Sequence, residues 1–336
     1  MQVRIMYGKN VIDRAIRVEA ELGRGGGGAV YKAWHSRLEK YVVIKQNRRG
    51  SETGADRARN EFKALKSIKC AYLPNVFDFV DAGANSYTVM EFIEGESFDK
   101  LLGHGRVFTV AQVLKWYGQL AAALDAVHRY DTCHCDIKPA NIMLTPNGDV
   151  RLIDFNAAYV EGERMGAISR SPGYASPEQY EIFELYKKAL STKAQSANAL
   201  CVHASPDGGE EVIRSGHDGE TALLVGDSAT EFTENAAPPA YQGENAARPV
   251  TEGWGVDWKR SDVYSLGATI YHIYTGKHPP FRTDVSVKIR SSGAFDEGLL
   301  YLIEKSMQLN PSSRFASAAV LANTIQSIIR DDTKSC

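Results

Sequence analysis

The sequence predicts an α+β molecule of two lobes, a small β-rich lobe over residues 1–92 and a larger, mainly helical lobe over 93–332. Three observations lead there. Residues 18–45 read as strands around a glycine-rich turn. From about residue 95 apolar residues recur at helical spacing. A dense polar run, His134-Cys135-Asp136-Ile137-Lys138-Pro139-Ala140-Asn141, is followed thirteen residues later by Asp154-Phe155.

The strand assignments rest on side-chain type. Val30-Tyr31-Lys32-Ala33-Trp34 and Tyr41-Val42-Val43-Ile44-Lys45 are rich in β-branched and aromatic residues, which fit a pleated surface. A helix is expected next, with Thr53 and Asp56 as its capping pair and Arg57, Glu61, Leu65 and Ile68 along it, until Pro74-Asn75 breaks it. Val76 to Val80 and Tyr87 to Phe92 form a strand pair around Asp81-Ala82-Gly83.

The helical lobe has clearer punctuation. Thr109 and Gln112 form a capping box, and Val110, Val113, Leu114, Tyr117, Leu120, Ala121, Leu124 and Val127 follow one buried face. A hairpin turns at Asn147-Gly148-Asp149. A buried helix covers Asp262 to Tyr274 and stops at Gly276, and a last helix carries Ala319, Val320, Leu321, Ile325 and Ile328. Residues 181–252 shift to Ala, Gly, Ser, Asn and acidic residues after an amphipathic opening, Ile182 to Tyr186. Few large apolar side chains there offset chain entropy, so the stretch reads as a partly disordered insertion.

The chain has 336 residues, 43% of them hydrophobic, with a formal net charge of −2 and a pI near 6.5. No field of one sign covers it, which argues against a general nucleic-acid binder. Cys70, Cys133, Cys135, Cys201 and Cys336 are odd in number and scattered, a pattern of a reducing compartment and of cytoplasmic location. The first residues lack the apolar core of a signal peptide, and nowhere do about eighteen apolar residues run uninterrupted, so no transmembrane segment is expected.

Several residue sets carry chemistry. Leu22-Gly23-Arg24-Gly25-Gly26-Gly27-Gly28-Ala29-Val30 places Gly23, Gly25 and Gly28 where backbone N–H groups can approach phosphates, although a flexible turn needs the same composition. Lys45 ends an apolar strand seventeen residues after Gly28, and Glu61 lies on the following helix, within reach of an ion pair. Met90-Glu91-Phe92-Ile93 joins the lobes, either as a plain connection or as a backbone edge for a planar ring. Cys133 and Cys135 flank His134 but have no partner pair at zinc-finger spacing, so they read as buried inert thiols. Trp254 and Trp258 flank Asp257 and pack where the chain re-enters the lobe, a partner-docking role being the alternative.

Taken together these residues resemble the Hanks-type Ser/Thr protein kinases common in bacteria, from Leu22 to Arg314 with the insertion outside the match. The resemblance implies a two-lobed kinase fold and transfer of the ATP γ-phosphoryl to protein Ser or Thr hydroxyls in signalling. It assigns Asp136 as the base that orients the acceptor hydroxyl and Lys138 as the cation at the γ-phosphate. Asn141 and Asp154 become ligands of Mg²⁺, with Mn²⁺ as an alternative, since hard cations suit oxygen donors. Lys45, paired with Glu61, holds the α- and β-phosphates. Leu22, Val30 and Val43 border the adenine, and the Glu91 and Ile93 backbones bind its edge.

The same resemblance pairs Glu178 with Arg314, makes Asp262 a brace for the catalytic loop, and joins Leu65, His134 and Phe155 into an apolar spine. Ser171 stands where Ser/Thr kinases carry a hydroxyl near the base, and Ser169 and Ser171 are candidate autophosphorylation sites.

Three departures stand out. Cys135 replaces the usual Arg, which puts switching by an activation-loop phosphate in doubt. Asn156 replaces a Gly and is expected to tolerate left-handed backbone there. Val43 replaces an Ala and narrows the adenine site. Cys135 and Asn156 leave a second reading open, a pseudokinase acting as a nucleotide-binding interaction module. A small-molecule phosphotransferase is a third reading. The 181–252 insertion is either a partner- or substrate-docking surface or a tolerated loop.

Overall fold

In a computed structural model of the chain, residues 16–25, 28–48, 59, 62–63, 65–81, 85–161, 170–185, 255–280 and 296–334 are described. The capping pair Thr53–Asp56, Glu61, Gly26, Gly27, the turn at 82–84, Ser169, most of the 181–252 stretch and Trp254 lie outside these residues.

The N-terminal lobe is a five-stranded antiparallel sheet: β1 (Ile16–Gly25), β2 (Gly28–His35), β3 (Lys40–Arg48), β4 (Val76–Asp81) and β5 (Asn85–Glu91), in the order β1-β2-β3-β5-β4. Period-two alternation sorts its side chains. Ala29, Tyr31, Ala33, Val42, Ile44, Tyr87 and Val89 form one buried cluster. Their neighbours Val30, Val43, Lys45, Thr88 and Met90 therefore share the opposite face. The register sets Val30 against Lys45, Lys45 against Thr88 and Val43 against Met90, which gathers the residues expected around a nucleotide.

Gly28 has a reason of its own. A Cβ there would lie 1.8 Å from the Gln46 carbonyl oxygen, so the β2–β3 pairing itself demands glycine. Gly23, by contrast, faces open space.

The C-terminal lobe contains β6 (Glu96–Ser97), α1 (Phe98–Gly103), α2 (Val110–His128), β7 (Thr132–Cys133), β8 (Ile142–Leu144), β9 (Val150–Leu152) and β10 (Tyr159–Val160). Helices α3 (Trp258–Thr275), α4 (Glu297–Ser306) and α5 (Ala318–Lys334) complete it. The Thr109–Gln112 capping box is present at the start of α2, and β8 and β9 pair across the turn at Gly148. Helix α3 starts four residues before the expected Asp262, because the Asp257 side chain accepts a hydrogen bond from the Arg260 N–H. It ends at Gly276 in left-handed conformation.

Residues 181–185, read from the sequence as the start of the insertion, continue a helix that begins at 177, with Ile182 and Phe183 buried. Trp258 packs with Cys133, Cys135 and Tyr159, as expected of a re-entry point. One apolar core runs through α2, α3, α4 and α5 and reaches Leu65 and Phe155 near the lobe junction. Among the described residues no helix is long and apolar enough to cross a membrane.

Two consequences of this packing are measurable. Gly267 of α3 faces α4 and the residue after it: a Cβ would sit 2.6 Å from Ser306 Cβ and 3.1 Å from Met307 Cγ. Alanine gains about 0.5–1 kcal/mol of helix preference over glycine, but overpacking costs about 1–3 kcal/mol. Gly267→Ala is therefore expected to lower the urea midpoint at unchanged m-value, and a raised midpoint would contradict the packing. Burial also pushes the Cys133 and Cys135 thiols far above the ordinary range, with Asp262 adding to the effect. In the native protein, site-resolved mass spectrometry should find neither alkylated by iodoacetamide at pH 8, and both alkylated in urea.

Candidate functional site

The site is organised by the loop between β7 and β8. Asp262, fully buried on α3, accepts hydrogen bonds from the backbone N–H groups of His134 (2.8 Å) and Cys135 (2.9 Å). Its Oδ2 also pairs with His128 Nε2 at 2.9 Å. On the other side the Gln179 amide donates to the Cys135 carbonyl at 2.8 Å. Cys135 is thereby held at φ 61°, a conformation costing a non-glycine residue about 1–3 kcal/mol. This bend turns Asp136 out of the loop.

The ligand atoms of His128, Cys133 and Asp262 lie within 4.8 Å of one another. Asp262 already has three donors, and the Cys133 thiol is held protonated by burial, so the trio reads as a hydrogen-bonded core and not a metal centre.

Asp136 has two distinct oxygens. Oδ1 accepts from the Ser171 hydroxyl at 2.6 Å. Oδ2 faces Lys138 Nζ at 2.9 Å and accepts from Asn141 Nδ2 at 3.1 Å. Lys138 also donates to Ser171 Oγ at 3.1 Å, so the hydroxyl gives its proton toward Asp136 while accepting from an ammonium. Asn141 spends its amide N–H groups on Asp136, whose backbone carbonyl is 2.8 Å away, which leaves its side-chain oxygen as the donor atom for a cation. The Asn141 carbonyl accepts from Ile153 N–H at 2.8 Å, which ties this loop to the residue before Asp154.

Asp154 is left-handed at φ 65°. Its Oδ1 accepts from Lys45 Nζ at 2.7 Å, between residues 109 apart in sequence and on opposite lobes. Burial pushes the Asp154 carboxyl up, but the Lys45 ammonium beside it outweighs this and holds the acid below its ordinary range. With 38% of its side chain accessible, the Asp154 carboxylate remains within reach of a ligand. His134 donates from Nε2 to the Ile153 carbonyl (3.1 Å) and packs edge-on against Phe155 at 4.4 Å between ring centroids. Leu65 joins Phe155 in the same core, so the three residues expected as an apolar spine occupy one region.

The left-handed residue of this turn is Asp154, and Asn156 does not have positive φ, so the tolerance expected of Asn156 is not called upon. The turn therefore does not require the replaced glycine at 156 to be left-handed.

At the lobe junction, Glu91 N–H donates to the Asn75 carbonyl at 2.8 Å, leaving the Glu91 carbonyl rather than its N–H for a planar ligand. The Glu91 carboxylate bridges Arg151 of β9 (2.7 Å) and Asn75 (2.7 Å), which pins the connection between lobes. Ile93 is half-buried just beyond β5, Leu22 is exposed on β1, and Val30 and Val43 are half-buried on the Lys45 face. Further out, Arg314 pairs with Glu178 through both guanidinium ends, with Nη2–Oε2 at 2.9 Å, and also donates to the Gln308, Leu309 and Arg260 carbonyls.

Lys45, Asp136, Lys138, Asn141 and Asp154 are thus brought together through direct or one-residue links. Sequence reading did not find His128, Gln179, Arg151 or Asn75. They act through hydrogen bonds to backbone or to a carboxylate, and such bonds leave no periodic or compositional trace.

The protein kinase domain model matches this chain over residues 16–193. A probable serine/threonine-protein kinase of Clostridium acetobutylicum is 30% identical over 176 residues, 50% of this chain and 27% of the relative. One of Streptomyces coelicolor is 34% identical over 173 residues, 47% of this chain and 25% of the relative. The serine/threonine-protein kinase PknL of Mycobacterium tuberculosis is 25% identical over 345 aligned positions, 96% of this chain and 67% of the relative. The alignments with the first two relatives span about a quarter of those proteins' length. With its two-lobed architecture and the matched domain, the chain belongs to the protein kinase family.

Proposed function

We propose that the protein transfers the γ-phosphoryl group of Mg-ATP to Ser or Thr hydroxyls of proteins. The observation that carries this reading is the environment of Asp136. One oxygen holds a primary hydroxyl at 2.6 Å while the other is neutralised by Lys138 and Asn141. That is the field an acceptor hydroxyl needs.

In the proposed step the acceptor oxygen forms a bond to the γ-phosphorus as the bond to the β-phosphate oxygen breaks. The hydroxyl proton passes to Asp136, and ADP leaves. Asp136 mainly orients the oxygen, and Lys138 offsets charge on the phosphoryl as it moves. Lys45 holds the α- and β-phosphates, the backbone around Gly23, Gly25 and Gly28 covers them, and Glu61 is assigned as the second partner of Lys45.

Asn141 and Asp154 fit a hard cation: each retains an oxygen beside the acceptor field. Mg²⁺, or Mn²⁺, held by these two side chains would offset negative charge on the phosphates. Leu22, Val30 and Val43 border the adenine, whose edge meets the Glu91 carbonyl and the Ile93 backbone. Cys70, Cys133 and Cys135 are free thiols, in keeping with a cytoplasmic setting. The 181–252 stretch is assigned to partner or substrate docking.

A second reading, a pseudokinase that binds nucleotide without transfer, draws on Cys135. Its side chain sits in an apolar cluster with Cys133, Tyr159 and Trp258 and offers no guanidinium to an activation-loop phosphate. Activity, if present, is then set by packing and not by such a phosphate.

The two readings separate by experiment. With labelled ATP and a panel of protein acceptors, Asp136→Asn should lower incorporation by roughly 10²–10⁴-fold. Lys45→Met should lower kcat/KM at least about a hundredfold, with native circular dichroism retained. Wild-type rates in both variants would sink the assignment. A wild-type protein that is stabilised by Mg-ATP yet incorporates nothing would select the pseudokinase.

A further inference from the structure

Helix α3 grips the base-bearing loop at its N-terminal end through Asp262, and midway Thr269 Oγ1 donates to the Ile137 carbonyl at 3.3 Å. Its last turn grips something else. Tyr174 O–H meets His272 Nδ1 at 2.5 Å, and the two rings stack at 5.9 Å with an interplanar angle of 24°. His278 stands 4.5 Å from the His272 ring and 6.0 Å from that of Tyr174. Gly173, left-handed at φ 82°, runs against Pro279.

Tyr174 belongs to a tight turn. Its N–H and that of Ala175 both donate to the Ser171 carbonyl at 3.0 Å. Ser171 is the residue whose hydroxyl reaches Asp136 and Lys138. On the other flank of Ser171, Arg170 lies 4.3 Å over the Phe183 ring and pairs with Glu184 at 3.2 Å. The turn is therefore tied at both ends, and its Tyr174 tie leads to the same helix that braces Asp136. Asp262 and His272 are ten residues apart, about 15 Å along a helix axis.

We propose that His272 is a positioning residue for the acceptor side of the reaction, holding the Ser171 turn through Tyr174 in register with Asp136. The inference rests on the kinase reading above. Helix α3 then acts as a rigid ruler: one end sets the base, the other sets the turn against which an acceptor chain would lie. For this role His272 must accept at Nδ1, which requires the neutral imidazole. Burial, and then His278 beside it, hold His272 down to about 4, while the Asp99 charge from α1 pulls the other way. Tyr174, buried and also near Asp99, is pushed above its usual range and keeps its proton to donate. Across neutral pH the donor and acceptor roles are therefore fixed.

The test uses the full chain with His272→Ala, His272→Asn and Tyr174→Phe. His272→Ala and Tyr174→Phe are expected to lower kcat/KM for a protein acceptor by about tenfold, the worth of one lost buried hydrogen bond. KM for Mg-ATP should not move. His272→Asn, which returns an acceptor oxygen near the Nδ1 position, should recover most of the loss. Imidazole NMR gives a readout independent of turnover: His272 should carry its proton on Nε2, titrate near pH 4, and shift in Tyr174→Phe.

Wild-type transfer with unimpaired His272→Ala, equal rises in KM for both substrates, or a His272 signal titrating near 6.5 would overturn the positioning role. A wild-type protein that transfers to no acceptor would defeat the kinase reading and this inference with it. Normal transfer with insensitive variants would defeat this inference alone.

Discussion

The geometry of the site depends on one buried carboxylate. Asp262 has no exposed surface, and a bare charge there would cost several kcal/mol. Two backbone N–H groups and the His128 imidazole offset that cost. The return is a loop whose course is fixed by backbone atoms, so the side chains at 134, 135 and 136 are free to serve different ends. His134 packs on Phe155, Cys135 enters an apolar cluster, and Asp136 faces the cleft. Losing the carboxylate would leave buried donors unpaired at about 1–3 kcal/mol each, and it would release the left-handed bend at Cys135 as well.

Four non-glycine residues have positive φ among the described residues, and two of them, Cys135 and Asp154, are in this site. Each is held from more than one side. Cys135 is pinned through its N–H by Asp262 and through its carbonyl by Gln179. Asp154 is reached across the cleft by Lys45, and the residue before it is bonded to Asn141. Strain persists where the surroundings over-determine it. Here the over-determination links elements from both lobes, so the cleft is a consequence of the same contacts that shape its chemistry.

The sequence made much of this legible for physical reasons. The Thr109–Gln112 box, the apolar stripe of α2 and the stop at Gly276 are local signals, and local signals survive without knowledge of the fold. The pair Glu178–Arg314 was legible only through resemblance, since no spacing rule predicts a contact 136 residues apart, and the direct Lys45–Asp154 contact, 109 residues apart, was not foreseen. Two features were harder. Helix α4 carries its own cap at Asp296 and buried Leu299, Leu302 and Ile303, yet ten residues offer little periodicity to read. The left-handed backbone of this turn lies at Asp154, two residues before Asn156, since residue type at 156 says what a backbone tolerates and not where strain is placed. Tyr174 and His272 sit in unremarkable sequence; only the fold shows that they meet.

The thiol at 135 follows from the first constraint. A side chain at that position does not have to hold the loop, because Asp262 and Gln179 do so through the backbone. An arginine there would need a counter-charge or exposure to water, since burying an unpaired guanidinium is far costlier than burying a thiol. The surroundings offer Cys133, Tyr159, Trp258 and the partly buried Val256, with Asp262 already engaged. A small apolar group is what such a pocket accepts. Its packing joins the loop of residues 134–136 to β10 and to the start of α3, adding apolar burial to the hydrogen bonds that Asp262 makes there.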